Sequence, residues 1–239
     1  MRTRKAAPVF NFTSMKTGII VAMDKEMRLL LPLLANHSTV TLNNFEFHTG
    51  TMGGHDVVAV KCGIGKVNAA IGTLTLIENF HPSLVLNSGV AGGTGAGTPR
   101  AEILDVVLAT RIAYHDVWCG PGTEPGVAAG CPQFFECPLP SDIRAALGAK
   151  EGLLASGDIF VDSEEDLRRI LALYPDAIAV DMESAAIAQT CYTKGVPFVC
   201  LRVVSDTPGG EGNMAAYNNF WTIAPERTFE AVERLLQLL

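Results

Sequence analysis

The chain has 239 residues with a net charge of −7, 18% charged and 48% hydrophobic side chains, enough sequence to bury a substantial core. The negative balance, with no basic patch, speaks against nucleic acid as a partner, and the absence of a run of about eighteen apolar residues against a membrane span. Six cysteines without a Cys-x-x-Cys pair and five histidines without a His-Glu-x-x-His set give no metal-ligand pattern, so neither a metal nor another cofactor is expected.

In chain order, Met1 to Ser14 is basic and lacks an apolar core, which excludes a secretory signal; Met15-Lys16 is the more natural start, and residues 1–14 are expected to be a disordered extension. Without a signal or a cysteine framework, a cytoplasmic setting is expected. A continuous apolar run predicts a strand over residues 18–22. Met23-Asp24-Lys25-Glu26-Met27 then opens a helix with Met27, Leu30, Leu31 and Leu34 on its inner side. Glu26 falls in the first turn, where acids are favoured anyway, and alone reads as a capping or solvated residue. Further strands are predicted at 45–51, 57–62, 84–88, 106–111, 153–156, 177–180 and 198–205. Val67, Ala70, Ile71, Leu74 and Ile77 share one face of a helix; Ser163-Glu-Glu-Asp166 opens another with a capping sequence. A last helix runs from about Pro225 to Leu238. Alternating strands and helices with no linker or internal repeat predict one layered α/β domain over residues 15–239.

The chemistry collects where strands end. Val180-Asp181-Met182-Glu183-Ser184 carries a strand into two carboxylates and a helix, which Lys194, Gly195 and Pro197 then stop. Open α/β sheets bind ligands beyond the carboxyl ends of their strands. The plainer alternative is that Asp181 and Glu183 only cap that helix. The next strand ends in Arg202-Val203-Val204-Ser205-Asp206, where a period of two would put Arg202, Val204 and Asp206 on one face and Val203 and Ser205 on the other. A buried arginine needs an anionic partner, and Glu183 is the nearest candidate by topology.

Seven short motifs in order, Gly18-Ile-Ile-Val-Ala-Met-Asp-Lys-Glu26, Cys62-Gly-Ile-Gly-Lys-Val-Asn68, Asn87-Ser-Gly-Val-Ala-Gly-Gly93, Tyr114-His-Asp116, Ser156-Gly-Asp-Ile-Phe160, Val180-Asp-Met-Glu183 and Arg202-Val-Val-Ser-Asp206, resemble the 5′-methylthioadenosine/S-adenosylhomocysteine nucleosidases. The likeness runs from about Lys16 to the C-terminus, and the wider purine nucleoside and uridine phosphorylase group shares part of it. It implies a three-layer α/β/α sandwich around a mixed, partly barrel-like sheet, and a cytoplasmic homodimer acting in methionine salvage. The implied reaction is hydrolysis of methylthioadenosine and S-adenosylhomocysteine, with 5′-deoxyadenosine as a further substrate. By the same resemblance Asp206 protonates the imidazole side of the departing adenine, Glu26 activates water, and Glu183 grips the ribose hydroxyls. Met182 would pack on the sugar, Arg202 orient Glu183, Phe160 stack on adenine and the Val161 backbone read the base edge. Ile64 and Tyr217 would line the sugar and 5′ region, with Val90 and Ser205 in the same pocket. The Gly, Pro and Cys-rich stretch from Asp116 to Cys137 carries Trp118, Phe134 and Phe135 and reads as an interface or lid. The family's equivalent reaches into a partner's pocket, which makes Trp118, Pro121 and Ala129 candidates for the 5′ substituent. His115 reads as structural or rim.

Cleaving an N-glycosidic bond develops positive charge on the sugar and negative charge on the base, so an acid is needed at the base and anionic groups around the ribose. Phosphorylases of the group resemble one another in an arginine where Asn87 stands here and a hydroxyl residue where Val90 stands. An apolar Val90 cannot donate to phosphate, so water is the expected nucleophile. Valine at this turn also resembles relatives that act on aminodeoxyfutalosine, and aminodeoxyfutalosine nucleosidase and purine nucleoside phosphorylase remain the alternatives. Three departures from the nucleosidase pattern stand out: Asp181 in place of glutamate, a longer loop over residues 94–101, and Leu104 where glycine normally precedes Asp105.

Overall fold

A computed structural model describes residues 15–209, 212–223 and 227–239. The basic extension, Gly210 and the start expected for the last helix at Pro225 lie outside the described residues.

The sheet begins with β1 (Lys16–Val21), whose side chains alternate between two cores: Ile20 enters one cluster and Ile19 and Val21 the other. Helix α1 (Asp24–Leu30) follows, and Met27, Leu30 and Leu34 are buried as the apolar spacing requires. The next strand, β2 (Ala35–Leu42), was not foreseen. It is almost wholly exposed and polar, and holds its place through backbone pairing with β3 (Phe45–Met52). Asn43-Asn44, both with positive φ, close that hairpin, and Gly53-Gly54 do the same before β4 (His55–Lys61). Such two-residue turns match the right-handed twist of the strands.

Helix α2 (Lys66–Phe80) buries small residues, Ala69, Gly72 and Thr73, with Leu76 and Ile77. The stripe of Val67, Ile71 and Leu74 points the other way and is exposed; only Ile77 of the expected apolar face is fully buried. A Cβ on Gly72 would stand 2.8 Å from Cys62 Cβ, so the close seat of α2 on the sheet depends on that glycine.

Strands β5 (Leu84–Gly93), β6 (Val106–Tyr114), the short β7 (Phe135–Glu136), β8 (Lys150–Ser156), β9 (Ala177–Asp181) and β10 (Phe198–Asp206) complete a ten-stranded mixed sheet. Its order is β10-β6-β8-β9-β5-β1-β4-β3-β2, with β7 on β6. An additional β10–β5 pairing closes β5, β10, β6, β8 and β9 into a ring, while β1, β4, β3 and β2 extend from it as an open wing. The long β5 makes this possible: its first half pairs with β1 and its last two residues with β9. Helices α3 (Ser141–Leu147) and α7 (Arg227–Leu238) join α1 over one core, where Phe229, Val232, Leu235 and Leu236 meet Leu84 and Leu86. Helix α5 (Ser184–Lys194), stopped by Gly195 in the left-handed conformation, lies with α2 over the other. Helix α4 (Glu164–Leu173) begins at Ser163, whose hydroxyl accepts from the Asp166 N–H, and packs on a third cluster. Helix α6 (Asn213–Ile223) crosses the carboxyl end of β10. The result is a three-layer α/β/α arrangement around a partly closed mixed sheet.

Among the described residues no helix is long and apolar enough to cross a membrane, and no group of three His, Cys, Asp or Glu could hold a metal ion.

Candidate active site

The carboxyl ends of β1, β5, β9 and β10 converge on an open cleft. Glu26, Ile64, Val90, Phe160, Val161, Met182, Glu183, Arg202, Ser205, Asp206 and Tyr217 all line it. Residues from Ala22 to Tyr217 meet there: β1, β5 and β10 run parallel and deliver their ends to one edge, and β9, antiparallel to β5, reaches it through closure of the ring.

Glu26 is 1% exposed. Its Oε2 accepts from the N–H groups of Ala22 (2.8 Å) and Met23 (2.9 Å), closing the first turn of α1, and its Oε1 accepts from the Val90 N–H (3.3 Å). It therefore caps its helix and faces the cleft at once. Burial raises its pKa, against the pull of Arg202 and the three amides. Room for it comes from Gly89: a Cβ there would lie 2.3 Å from Glu26 Oε1 and 2.6 Å from Arg202 Nη1.

Arg202 is fully buried, as a charge must be only when paired. Its closest anion is Asp181, while Glu183 Oε2 stands at 3.8 Å; the expectation that Glu183 is its first partner is corrected accordingly. Strand pairing explains the difference, since Asp181 ends β9 inside the ring and Glu183 lies two residues beyond it. Arg202 also donates to Asn87 Oδ1 (2.6 Å), and Asn87 in turn donates to the Ile20 carbonyl (2.9 Å). Asn87 is thus buried beneath the cleft as a brace for Arg202.

The capping alternative applies to one acid and not the other. Asp181 accepts from the N–H and hydroxyl of Ser184 at the start of α5. Glu183 turns away, and its Oε1 accepts from the Gly65 N–H (2.9 Å), the cap residue of α2. It sits at the positive end of a helix, though a different one from the helix it precedes. Burial and the neighbouring Asp181 raise its pKa above the usual carboxylate range, with Arg202 opposing.

Asp206 is 4% exposed, and burial raises its pKa; its Oδ1 accepts from the Ser205 hydroxyl at 2.5 Å. Among the described residues no cation lies within ion-pair distance of it. Strict alternation would have turned Ser205 away from Asp206. Instead the pairing of β10 with β5 shifts register between Val204 and Asp206, so both Ser205 and Asp206 line the cleft.

Phe160, 39% exposed, meets Tyr217 edge to face at 5.9 Å between ring centroids. Tyr217 donates to Met23 Sδ at 3.3 Å, and Met23 with Ile64 adds to an apolar wall. Met23, Ile159 and the Gly65 amide were not anticipated. The Gly63-Ile64-Gly65 step ahead of a helix was the one signal that a backbone N–H would face a ligand site. Trp118 is 62% exposed, and neither it nor Pro121, Ala129 or His115 lines the cleft.

A layered sheet with a part-closed ring and a cleft of carboxylates at its edge is the architecture of the phosphorylase superfamily, whose family model matches residues 16–237. The S-adenosylhomocysteine nucleosidase of Streptococcus pyogenes, solved with 5-methylthiotubericidin, is 33% identical over 95% of this chain and 98% of its own, with a TM-score of 0.87. The 5′-methylthioadenosine/S-adenosylhomocysteine nucleosidase of Neisseria meningitidis, in complex with methylthio-immucillin-A, is 33% identical over 94% of this chain and 100% of its own (TM-score 0.86). That of Colwellia psychrerythraea 34H, in complex with adenine, is 35% identical over 96% and 98% (TM-score 0.87). The chain belongs to the 5′-methylthioadenosine/S-adenosylhomocysteine nucleosidase family, N-glycosyl hydrolases by reaction.

Proposed function

We propose that this protein hydrolyses the N-glycosidic bond of 5′-methylthioadenosine and S-adenosylhomocysteine, releasing adenine with methylthioribose or S-ribosylhomocysteine. The observation that carries the reading is the division of the cleft. One end holds a buried carboxyl with a raised pKa and a hydroxyl neighbour, Asp206, and the other holds Glu26 and Glu183 around Arg202. In the proposed reaction the bond between the ribose anomeric carbon and the adenine nitrogen breaks, and its electron pair leaves with the base. Asp206 gives its proton to the imidazole side of adenine. A water oxygen bonds to the anomeric carbon, and its proton passes to Glu26. Each proton transfer of this kind contributes about a hundred- to ten-thousand-fold. Glu183 binds the ribose hydroxyls with Met182 against the sugar, Phe160 stacks on adenine, and Val161 reads its edge.

Water rather than phosphate is the nucleophile in this reading. A phosphorylase needs arginines and hydroxyl donors around a dianion. Here Val90 offers an apolar side chain to the cleft, Asn87 is buried on Arg202, and Arg202 itself is engaged by two carboxylates. The apolar wall of Met23, Ile64 and Tyr217 suits a 5′-methylthio group and also 5′-deoxyadenosine. Val90 favours aminodeoxyfutalosine as the second substrate reading, through the likeness noted above. The exposed stripe of Val67, Ile71 and Leu74 supports a homodimer in which the Trp118 loop completes a partner's 5′ pocket. Six free cysteines agree with a cytoplasmic enzyme of methionine salvage.

The test is adenine release from methylthioadenosine with and without phosphate, with the sugar product identified. Phosphate-independent release of free methylthioribose is expected; strict phosphate dependence with a sugar 1-phosphate would make it a phosphorylase, and aminodeoxyfutalosine as the far better substrate would move the assignment to that nucleoside.

A further inference from the structure

Two consecutive amides at the start of α2 are each taken by a carboxylate from a different loop. The Gly65 N–H holds Glu183 at 2.9 Å, and the Lys66 N–H holds Asp158 Oδ1 at 2.7 Å. Asp158 lies two residues before Phe160 and three before Val161, on the loop assigned above to the purine. Its own N–H donates to Asp116 Oδ2 (2.8 Å), and the same oxygen accepts from Lys66 Nζ (2.7 Å). Backbone and side chain of Lys66 thus grip both ends of a short bridge: amide to Asp158, Asp158 amide to Asp116, Asp116 back to the ammonium. A Cβ on Gly65 would approach Asp158 Oδ1 to 3.0 Å, so the two carboxylate sites abut. Glu183 has its nearest hydrogen bond on the Gly65 amide, with Arg202 farther off at 3.8 Å. Where the first turn of α2 stands therefore sets where that carboxylate stands.

We propose that Asp158 is a positioning residue that fixes the purine loop and the ribose-binding Glu183 relative to one another through the N-terminus of α2. The inference rests on the assignment of Phe160 to the base and Glu183 to the sugar. An ordinary helix cap would act on stability alone. A positioning role makes a change in the base loop reach the sugar, and that coupling can be measured without touching either contact residue.

The experiment compares kcat/KM for 5′-methylthioadenosine and its 3′-deoxy counterpart in the intact protein and in Asp158→Ala. Loss of the anchor should shrink the discrimination between the two substrates by about tenfold, the lower end for one charge-assisted hydrogen bond. Asp158→Asn keeps an acceptor oxygen for the Lys66 amide and should restore the discrimination. A preserved ratio in Asp158→Ala, whatever its melting temperature, overturns the proposal. Should that variant not fold, Asp158→Glu, which displaces the acceptor by one methylene, is read by the same ratio, and wild-type discrimination there overturns the proposal equally. Failure of the unaltered protein to cleave methylthioadenosine would instead fault the functional reading beneath it.

Discussion

Replacing Asp206 by asparagine separates the proton it carries from the space it fills. Asparagine has the same outline and keeps an oxygen to accept from the Ser205 hydroxyl, so substrate binding should survive. What disappears is the acid. Loss of one general-acid step costs about a hundred- to ten-thousand-fold in kcat, or about 3–5 kcal/mol of transition-state stabilisation at 1.36 kcal/mol per decade. Stability should move the other way. In the folded protein burial raises the Asp206 pKa above its ordinary 3.8, so folding favours the protonated form. The stability from this carboxyl is fully present below pH 3.8 and is lost as pH rises through the folded value. An uncharged asparagine side chain has no such loss. Asp206→Asn should therefore match wild type near pH 4 and exceed it increasingly toward pH 8, alongside its fall in turnover. Initial rates of adenine release, calorimetric titration with a non-hydrolysable adenine nucleoside, and urea unfolding at several pH values check the three parts. Near-normal kcat, or a stability gap that widens toward low pH, would refute the argument that Asp206 is a buried, protonated acid.

Gly89→Ala should destabilise the fold by about 1–3 kcal/mol, the range for forced overpacking, and abolish adenine release. The new methyl lies within 2.6 Å of both Glu26 and Arg202, and a soluble, active variant would show that these side chains have room to move. Arg202→Met leaves Asp181, Glu183 and Glu26 without their shared cation, and breaking a buried pair in this way costs about 3–5 kcal/mol; Glu183, already pushed up to about 7, rises further without Arg202, so thermal unfolding should show a larger deficit at pH 8 than at pH 5. Leu104→Gly should be stabilising. Leu104 has φ +73° and its N–H is fixed on the Val204 carbonyl at 2.8 Å. Left-handed backbone costs a β-carbon residue about 1–2 kcal/mol, against about 0.5–1 kcal/mol for the added freedom of glycine in the unfolded chain, leaving a gain of about 0.5–1 kcal/mol by urea unfolding. A net loss would show that the half-buried leucine side chain matters more than its backbone.

The elements that bury a face were legible from residue pattern alone. Apolar runs gave β1, β4 and β10 to within a few residues but only the first half of β5, whose glycine-rich second half carries no apolar run, and Ser163 and Gly195 marked helix ends through interactions confined to neighbouring residues. The strand-to-helix junction at Glu183 and the acidic end of β10 pointed to one edge of the sheet, but β9 runs antiparallel to β5 and it is the closed ring that brings the two ends together. β2 escaped, since an exposed polar edge strand is held by backbone pairing and leaves no period of two in its side chains. For the same reason the apolar stripe of α2 could be seen but not its direction: small residues let the opposite face sit closer to the sheet.

The sequence by itself determined that Asp181, Glu183, Arg202 and Asp206 gather at strand ends, because residue type and local period are properties of the chain; Glu26 and Phe160 entered only through the family resemblance. Only the tertiary structure decided that β5 and β10 close a ring, that a register shift turns Ser205 toward Asp206, that Asp181 is the nearer partner of Arg202, and that Glu183 is held by an amide 118 positions away. Those facts depend on backbone hydrogen bonds and charges meeting through space, and no local pattern of side chains encodes them.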